Sequence, residues 1–342
     1  MNPFKRWPSR PTAGRFIASL IVLSLFTSFV LPAAASALPA ASSTFSDQGT
    51  VLLEGVVIAP RLGVAFVMRP RGGVEAIDLA SGAVRWHSDQ AAKPLALTGD
   101  RLIAQVDNAG ANALDLAVLD ARSGASRDSL RMPLPEGVRA SVTDTLDGTF
   151  RLQARGTGTE LMVAWEATAT ATQGYLPAED EIQSPSVVAG SAVLDLSTPR
   201  LLLKAEPAVR QVRSASLSRA SLEEVSSRVV AGGQGRQLLA ADGRHVLVTE
   251  PAKGAKNPLE RHRWTIYDRS GARLGSVPAM VSATPFLVVG STLYHVAPAH
   301  AFLRDGKLVE RPAALRAVNL TTGKETWTKA AGATTFAGPF PP

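Results

Sequence analysis

Short runs of alternating apolar and polar residues, each stopped by glycine, proline, asparagine or aspartate, make up most of the chain after its first 40 positions. Alternation with a period of two predicts strands with one buried face, and the stops predict hairpin turns. The clearest run is "VEAIDLASGAVRWHSD" (Val74 to Asp89), which returns about 240 residues later as "LRAVNLTTGKETWTKA" (Leu315 to Ala330). Aligned, the two give A-[I/V]-[D/N]-L-x-[S/T]-G-x-x-x-W. It is carried by Ala76, Ile77, Asp78, Leu79, Ser81, Gly82 and Trp86, then by Ala317, Val318, Asn319, Leu320, Thr322, Gly323 and Trp327. Two degenerate copies lie between them: Asp120 to Gly124 with Asp128 at the tryptophan position, and Asp268 to Gly271, one residue shorter. An Asp or Asn whose side chain bonds the backbone of its own turn, followed by a glycine at positive φ, is hairpin chemistry. The tryptophan on the outgoing strand then offers a flat face that one hairpin cannot bury alone.

A second repeat has the form P-x4-G-x-x and is carried by Pro94, Pro185 and Pro285. Weaker copies extend it, so that turn glycines are expected at Gly63, Gly99, Gly148, Gly190, Gly243 and Gly290, on average 45.4 residues apart. A unit of that length with several short strands is the mark of a four-stranded propeller blade. Helical repeats of similar length are disfavoured, because Gly, Pro, Thr and β-branched residues stand where helices favour Ala, Leu, Glu and Lys. The expected fold is all-β, a single β-propeller of four-stranded antiparallel blades, six or seven in number, the seventh left open between Leu201 and Gly233. A propeller closes on itself, so the two echoing phrases are expected side by side in space.

The first 37 residues stand apart. Lys5, Arg6, Arg10 and Arg15 precede an uncharged apolar run of 16 residues, Phe16 to Leu31, and then Pro32 and a small-residue stretch. The run is shorter than the ~20 residues of a membrane span. Ala35-Ser36-Ala37 supplies an A-x-A cleavage site, so residues 1–37 are expected to be a secretory signal peptide and residues 38–342 the propeller. An uncleaved membrane anchor is the competing reading. With the leader gone, 32 basic residues face 29 acidic ones, a net charge of +3, which removes the suggestion of nucleic-acid binding carried by the +7 of the whole chain. There is no cysteine, hence no disulfide, no thiolate chemistry and no lipid attached through an N-terminal cysteine. A periplasmic or secreted protein without a stable membrane span is expected.

The Asp78–Trp86 and Asn319–Trp327 phrases resemble the "ALDAxTGxxxW" blade motif of the PQQ-like, or quinoprotein alcohol dehydrogenase-like, β-propeller superfamily. Two copies match well, two match in part, and over the middle of the chain the resemblance rests on spacing. It implies a structural, blade-docking role for Asp78, Gly82, Trp86, Asn319, Gly323 and Trp327. The family's quinone-dependent dehydrogenases are longer, with eight blades, a vicinal cysteine pair stacked on the quinone and a bound calcium. A chain of 342 residues without cysteine departs from that pattern and resembles instead the non-catalytic branch, which includes the periplasmic propeller subunit of the outer-membrane β-barrel assembly machine. That subunit is a lipoprotein, which this chain without cysteine cannot be.

Other candidate chemistry reads as structural. His87, His245, His262, His295 and His300 lie far apart except for the last pair, five residues apart across an expected strand end, whereas structural zinc wants four converging ligands. Asp107 to Asp115 resembles a calcium loop, but Val118 stands where a bidentate Glu belongs, so it reads as a long hairpin turn. "AGGQGR" (Ala231 to Arg236) lacks the third glycine of a dinucleotide fingerprint. Glu179-Asp180-Glu181 reads as a solvated loop, and "NLT" at Asn319 is the blade turn itself. No catalytic, cofactor-binding or metal-binding residues are assigned, and no cofactor is expected. The basic stretch Lys253 to Arg263 is the candidate interaction loop, with Lys253, Lys256, Arg261 and Arg263. The expected function is non-enzymatic: an exported scaffold, monomeric by itself, that binds a protein of the cell envelope. The alternative is a propeller enzyme or small-molecule sensor with its site in the central funnel.

Overall fold

Each third strand of a blade ends in an Asp or Asn, and that residue organises the turn into the fourth strand. The computed structural model describes residues 49–108, 112–140, 142, 150–157, 159–168, 186–198, 200–204, 208–213, 236–253, 259–304 and 307–332, all within one compact unit, Ser43–Pro342. The leader, Lys256, Gly148, Pro185, the Glu179–Glu181 cluster and most of Ala231–Arg236 lie outside these residues.

Among the described residues there are six antiparallel sheets, five of four or five strands and one of two. Sheet 1 joins β1 (Thr50–Leu53), β2 (Val56–Ala59), β3 (Val64–Met68), β4 (Val74–Asp78) and β5 (Val84–Ser88) in that order. Sheet 2 is β6 (Lys93–Thr98), β7 (Arg101–Gln105), β8 (Ala113–Asp120) and β9 (Ser126–Pro133). Sheet 3 is β10 (Phe150–Thr157), β11 (Glu160–Thr168) and β12 (Ser186–Asp195). β13 (Leu202–Leu203) and β14 (Ala208–Arg213) share the outer edge of β12 as two pieces of an interrupted fourth strand. Sheet 4 is β15 (Arg236–Leu239), β16 (His245–Pro251), β17 (His262–Asp268) and β18 (Arg273–Ala279). Sheet 5 is β19 (Phe286–Val289), β20 (Thr292–Ala297), β23 (Ala314–Asn319) and β24 (Lys324–Ala330), with a separate hairpin, β21 (His300–Arg304) and β22 (Lys307–Arg311), between its middle strands.

In sheets 1, 2 and 5 burial falls from the inner strand to the outer one. β2 and β6 are buried along nearly their whole length, whereas β5, β9 and β24 are mostly exposed. Among the described residues four pairs of sheets share a hydrophobic core. Phe66, Leu102 and Leu119 lie between sheets 1 and 2, and Leu114, Met132, Leu152 and Trp165 between sheets 2 and 3. Trp264, Ile266, Phe286 and Leu293 lie between sheets 4 and 5, and Ile58, Ile77, Tyr294 and Leu315 between sheets 5 and 1. The last sheet therefore meets the first, as blades of a closed propeller must. β1 is additional: its leading Gly49 sits against Leu97 of β6, and the turn after it is tied to sheet 2 by Lys93, whose Nζ donates to Glu54 at 2.8 Å.

The turn at the end of the third strand is built the same way throughout. Oδ1 of Asp78 accepts from the backbone N–H groups of Ala80 and Ser81 and from the Ser81 hydroxyl. Oδ1 of Asp120 does the same with Arg122 and Ser123, and Asp268 with Ser270 and Ala272. Asn319 accepts from the N–H groups of Thr321 and Thr322. A fifth copy, Asp195 with Ser197, has no glycine and was not legible in the sequence.

The docking tryptophans close on these turns. Trp86 of sheet 1 lies on Gly124 of sheet 2 and donates its indole N–H to the Ala121 carbonyl at 3.1 Å. Trp327 of sheet 5 lies on Gly82 of sheet 1 and donates to the Leu79 carbonyl at 3.0 Å. Both glycines have φ near +70°, and a Cβ on either would stand 2.6 Å from the ring, so conformation and space both demand glycine. Gly190 differs from its expected place in a turn. It is mid-strand in β12, opposite Trp165 of β11, where a Cβ would overlap the indole.

Replacing Trp86 or Trp327 with Ala is expected to cost about 3 kcal/mol, measured by denaturant unfolding, because each removes an aromatic face packed between blades. Acid is expected to destabilise the fold through the turns. Arg85 first, and then Ser81, hold the Asp78 carboxyl far below the usual range. At Asp120 burial pushes the pKa up, but the Ser123 N–H, Arg127 and the Ser123 hydroxyl outweigh it and bring it down to about 2. A folded pKa below the unfolded value of about 3.9 means that this stability is present above pH 4 and is lost as the pH falls toward 2. The Asp78→Asn, Asp120→Asn variant, which copies Asn319, should show a shallower fall in Tm between pH 5 and pH 2.

Candidate functional site

Two prolines set the site apart from the blade that carries it. β20 and β23 are paired neighbours inside sheet 5, but Pro298 and Pro312 follow and precede them and have no N–H to continue the ladder. The chain between them leaves the sheet as the β21–β22 hairpin. Its register pairs His300 with Arg311 and Phe302 with Val309 on one face, and Ala301 with Glu310 and Leu303 with Leu308 on the other.

The first of these faces borders a cleft of about 590 Å³. His300, Phe302 and Arg311 form its hairpin wall, Trp264, Val277, Ala279 and Val281 of the sheet 4 region form the opposite wall, and His295, Arg316 and Glu325 of sheet 5 lie at its base. Trp264 is fixed from behind, its indole N–H donating to the Val281 carbonyl at 3.0 Å. The His295 ring meets Trp264 edge-on, with centroids 5.0 Å apart and an interplanar angle of 78°. His295 is 8% exposed, and burial first, then the nearby Arg316 charge, lower its pKa to about 3. It is therefore a neutral, packed imidazole. Arg316 lies 3.5 Å from Glu325, and the His300 ring stacks on Phe302 at 6.0 Å. The cleft thus offers an aromatic and aliphatic lining with Arg311 and Arg316 as its cations and Glu260 and Glu325 as its acids. Among the described residues no three His, Asp or Glu side chains converge as metal ligands would.

The second face of the hairpin points to solvent. Leu303 is 74% exposed and Leu308 is 63% exposed, the highest values among the large exposed hydrophobics, and they stand directly opposite each other.

Of the predicted interaction loop, Lys253, Arg261 and Arg263 are exposed. They do not gather at the cleft. Trp264 faces sheet 5, so its strand neighbour Arg263 faces the other side of sheet 4. Leu259 and Glu260, from the same segment, do line the cleft. Asp78, Gly82, Trp86, Asn319, Gly323 and Trp327 sit in the blade turns and docking strands described above, away from the cleft except for Gly323. The β21–β22 hairpin is absent from the sequence-based expectations, although Asp305-Gly306 between apolar residues in "AFLRDGKLV" is a hairpin signal. His295 and His300, the one close pair among the five histidines of the sequence, both line the cleft.

No family model matches this chain, and no curated protein matches it. Solved structures are similar at low scores. BamB from Moraxella catarrhalis has 15% identity and a TM-score of 0.23, with 82% of this chain and 65% of that one covered. The hydrazine synthase of Kuenenia stuttgartiensis has 13% identity and a TM-score of 0.28, with 81% and 70% covered. The quinohemoprotein alcohol dehydrogenase of Comamonas testosteroni has 14% identity and a TM-score of 0.26, with 83% and 43% covered. The chain thus spans about two thirds of the BamB chain and less than half of the dehydrogenase. Scores at this level carry no argument, and the propeller stands on the sheets, their order and their packing.

His295→Leu is expected to flatten the pH dependence of stability between pH 7 and pH 4. With a folded pKa of about 3 against about 6.5 unfolded, the wild-type chain takes up a proton on unfolding across that window, so its stability falls as the pH falls. Thermal melts at half-unit steps check this.

Proposed function

We propose that the protein is exported after removal of residues 1–37 and acts as a non-enzymatic, protein-binding scaffold of the cell envelope. The docking face in this reading is the β21–β22 hairpin with the cleft beside it. The observation that carries it is the exposed Leu303–Leu308 pair. A leucine pair on a two-stranded hairpin gains nothing for the fold while it faces water, and an apolar tip rimmed by charge is the usual form of a protein-docking surface. The hairpin also leaves a rigid blade, which suits recognition. The basic leader, the apolar run and the A-x-A site within residues 1–37 support export.

The test is a photo-crosslinking amino acid at Leu303 in the producing host, with Arg122, exposed on the sheet 2 turn, as the control position. The expected result is a discrete adduct with an envelope protein at position 303, lost in Leu308→Asp and absent at position 122, together with a mature N-terminus at Leu38. Equal adducts at both positions, or recovery of a quinone-loaded, redox-active protein by absorbance, would overturn the proposal.

A further inference from the structure

The two faces of the hairpin carry different charge, and the difference specifies a partner. The face toward the cleft pairs His300 with Arg311 around the Phe302–Val309 pair, and the alternation of β22 adds Lys307 to the same face. The only acid of β22, Glu310, belongs to the opposite face. Two acids line the cleft, Glu325, which lies 3.5 Å from Arg316, and Glu260 from the sheet 4 side, while the hairpin face itself carries no acid and presents the exposed cations Arg311 and Lys307. The apolar walls given by Trp264, Val277 and Phe302, with Arg311 in the lining and Lys307 on the same hairpin face, are complementary to apolar side chains flanked by carboxylates.

Backbone geometry selects the kind of molecule. Among the described residues β21 and β22 form a sheet of two, and each has one edge without a strand partner there. An open edge repeats its donors and acceptors at the spacing of another extended polypeptide, and an isolated two-stranded ribbon gains stability when a third strand joins it. A second copy of this chain suits the edge poorly. Two-fold antiparallel pairing along the whole of β22 is centred on Val309 and places Lys307 opposite the Arg311 of the other copy.

Resting on the docking reading above, we infer that the hairpin edge and the cleft receive an extended, acidic segment of a protein partner, with its apolar side chains against Trp264 and Phe302 and its carboxylates at Arg311 and Lys307. The test uses the protein purified from its host and a fluorescent octapeptide alternating glutamate with leucine and phenylalanine, read by anisotropy. The acidic peptide is expected to bind. Arg311→Glu and Lys307→Glu, at exposed positions outside the core, should each weaken binding about tenfold, a difference of about 1.4 kcal/mol. A peptide with lysine for glutamate should not bind, and N-methylation of alternate backbone amides should weaken binding even though every side chain is kept. Equal binding of the lysine peptide, indifference to both charge reversals, or displacement by phosphatidylglycerol vesicles as effective as by unlabelled peptide would overturn the inference, as would a crosslinked homodimer at position 303. If the peptide fails while the Leu303 adduct with an envelope protein persists, this partner chemistry falls and the docking reading stands. If both fail, both fall.

Discussion

The peptide after the turn aspartate is held from two sides, and the ring depends on that double hold. Its N–H reaches back into its own blade: Leu79 to the Gly63 carbonyl, Ala121 to Asp100, Leu196 to Thr159 and Leu320 to Ser291. Its carbonyl is claimed by the preceding blade. Leu79 accepts from the Trp327 indole and the Tyr294 hydroxyl, Ala121 from the Trp86 indole, and Leu196 from the Arg101 guanidinium. In sheet 4, where the turn is one residue shorter, the Arg269 side chain takes over the inner bond by donating to the Gly243 carbonyl. A strongly polar group at a blade junction must be satisfied somewhere, and satisfying it across the junction couples sheet 5 to sheet 1, sheet 1 to sheet 2 and sheet 2 to sheet 3.

The partner at the tryptophan position is less constrained than the carbonyl it faces. Where sheet 1 meets sheet 2 and sheet 5 meets sheet 1 it is an indole. In sheet 2 it is Asp128, which accepts from the Leu201 N–H of sheet 3 at 2.6 Å. In sheet 4 it is Gly275, and the Leu320 carbonyl lies so close that any Cβ there would collide with it. Three solutions thus serve one junction: a large ring that spans a gap, a carboxylate that bonds a backbone N–H, and no side chain where the backbones approach directly. The same economy governs the second carboxylate oxygen of the turns. Arg85 and Arg127, each seven residues on, bond Oδ2 of Asp78 and Asp120, whereas Asn319 lacks a second oxygen and Thr326 stands in that place.

A ring held this firmly can carry an insertion at small cost. The hairpin between β20 and β23 interrupts one ladder at two prolines and leaves the packed strands on either side in register. Trp264 belongs both to the core shared by sheets 4 and 5 and to the cleft lining, where the His295 ring meets it. The aromatic lining of the cleft is therefore continuous with the blade interface, and a guest there would extend packing the fold already makes.

The hairpin rhythm, the Asp and Asn turns with their glycines, and the two tryptophan phrases were legible in the sequence because they are local: each needs only its own few residues to specify a conformation. So the sheet-rich fold and the meeting of both ends of the chain came from the pattern. What the pattern could not assign were the roles set by neighbours. Gly190 has the spacing of a turn, yet it is a strand residue shaped by Trp165. Asp195 lacks the following glycine, yet makes the same turn bonds as the others. Asp128 reads as a degenerate tryptophan position, and only the approach of sheet 3 turns it into a docking group. The candidate site is the strongest case. Trp264, His295 and Phe302 belong to three different strands of two blades, and a cleft among them exists only once those blades are packed. Sequence spacing records what one strand does to the next, while the meeting of separate blades is decided by tertiary packing.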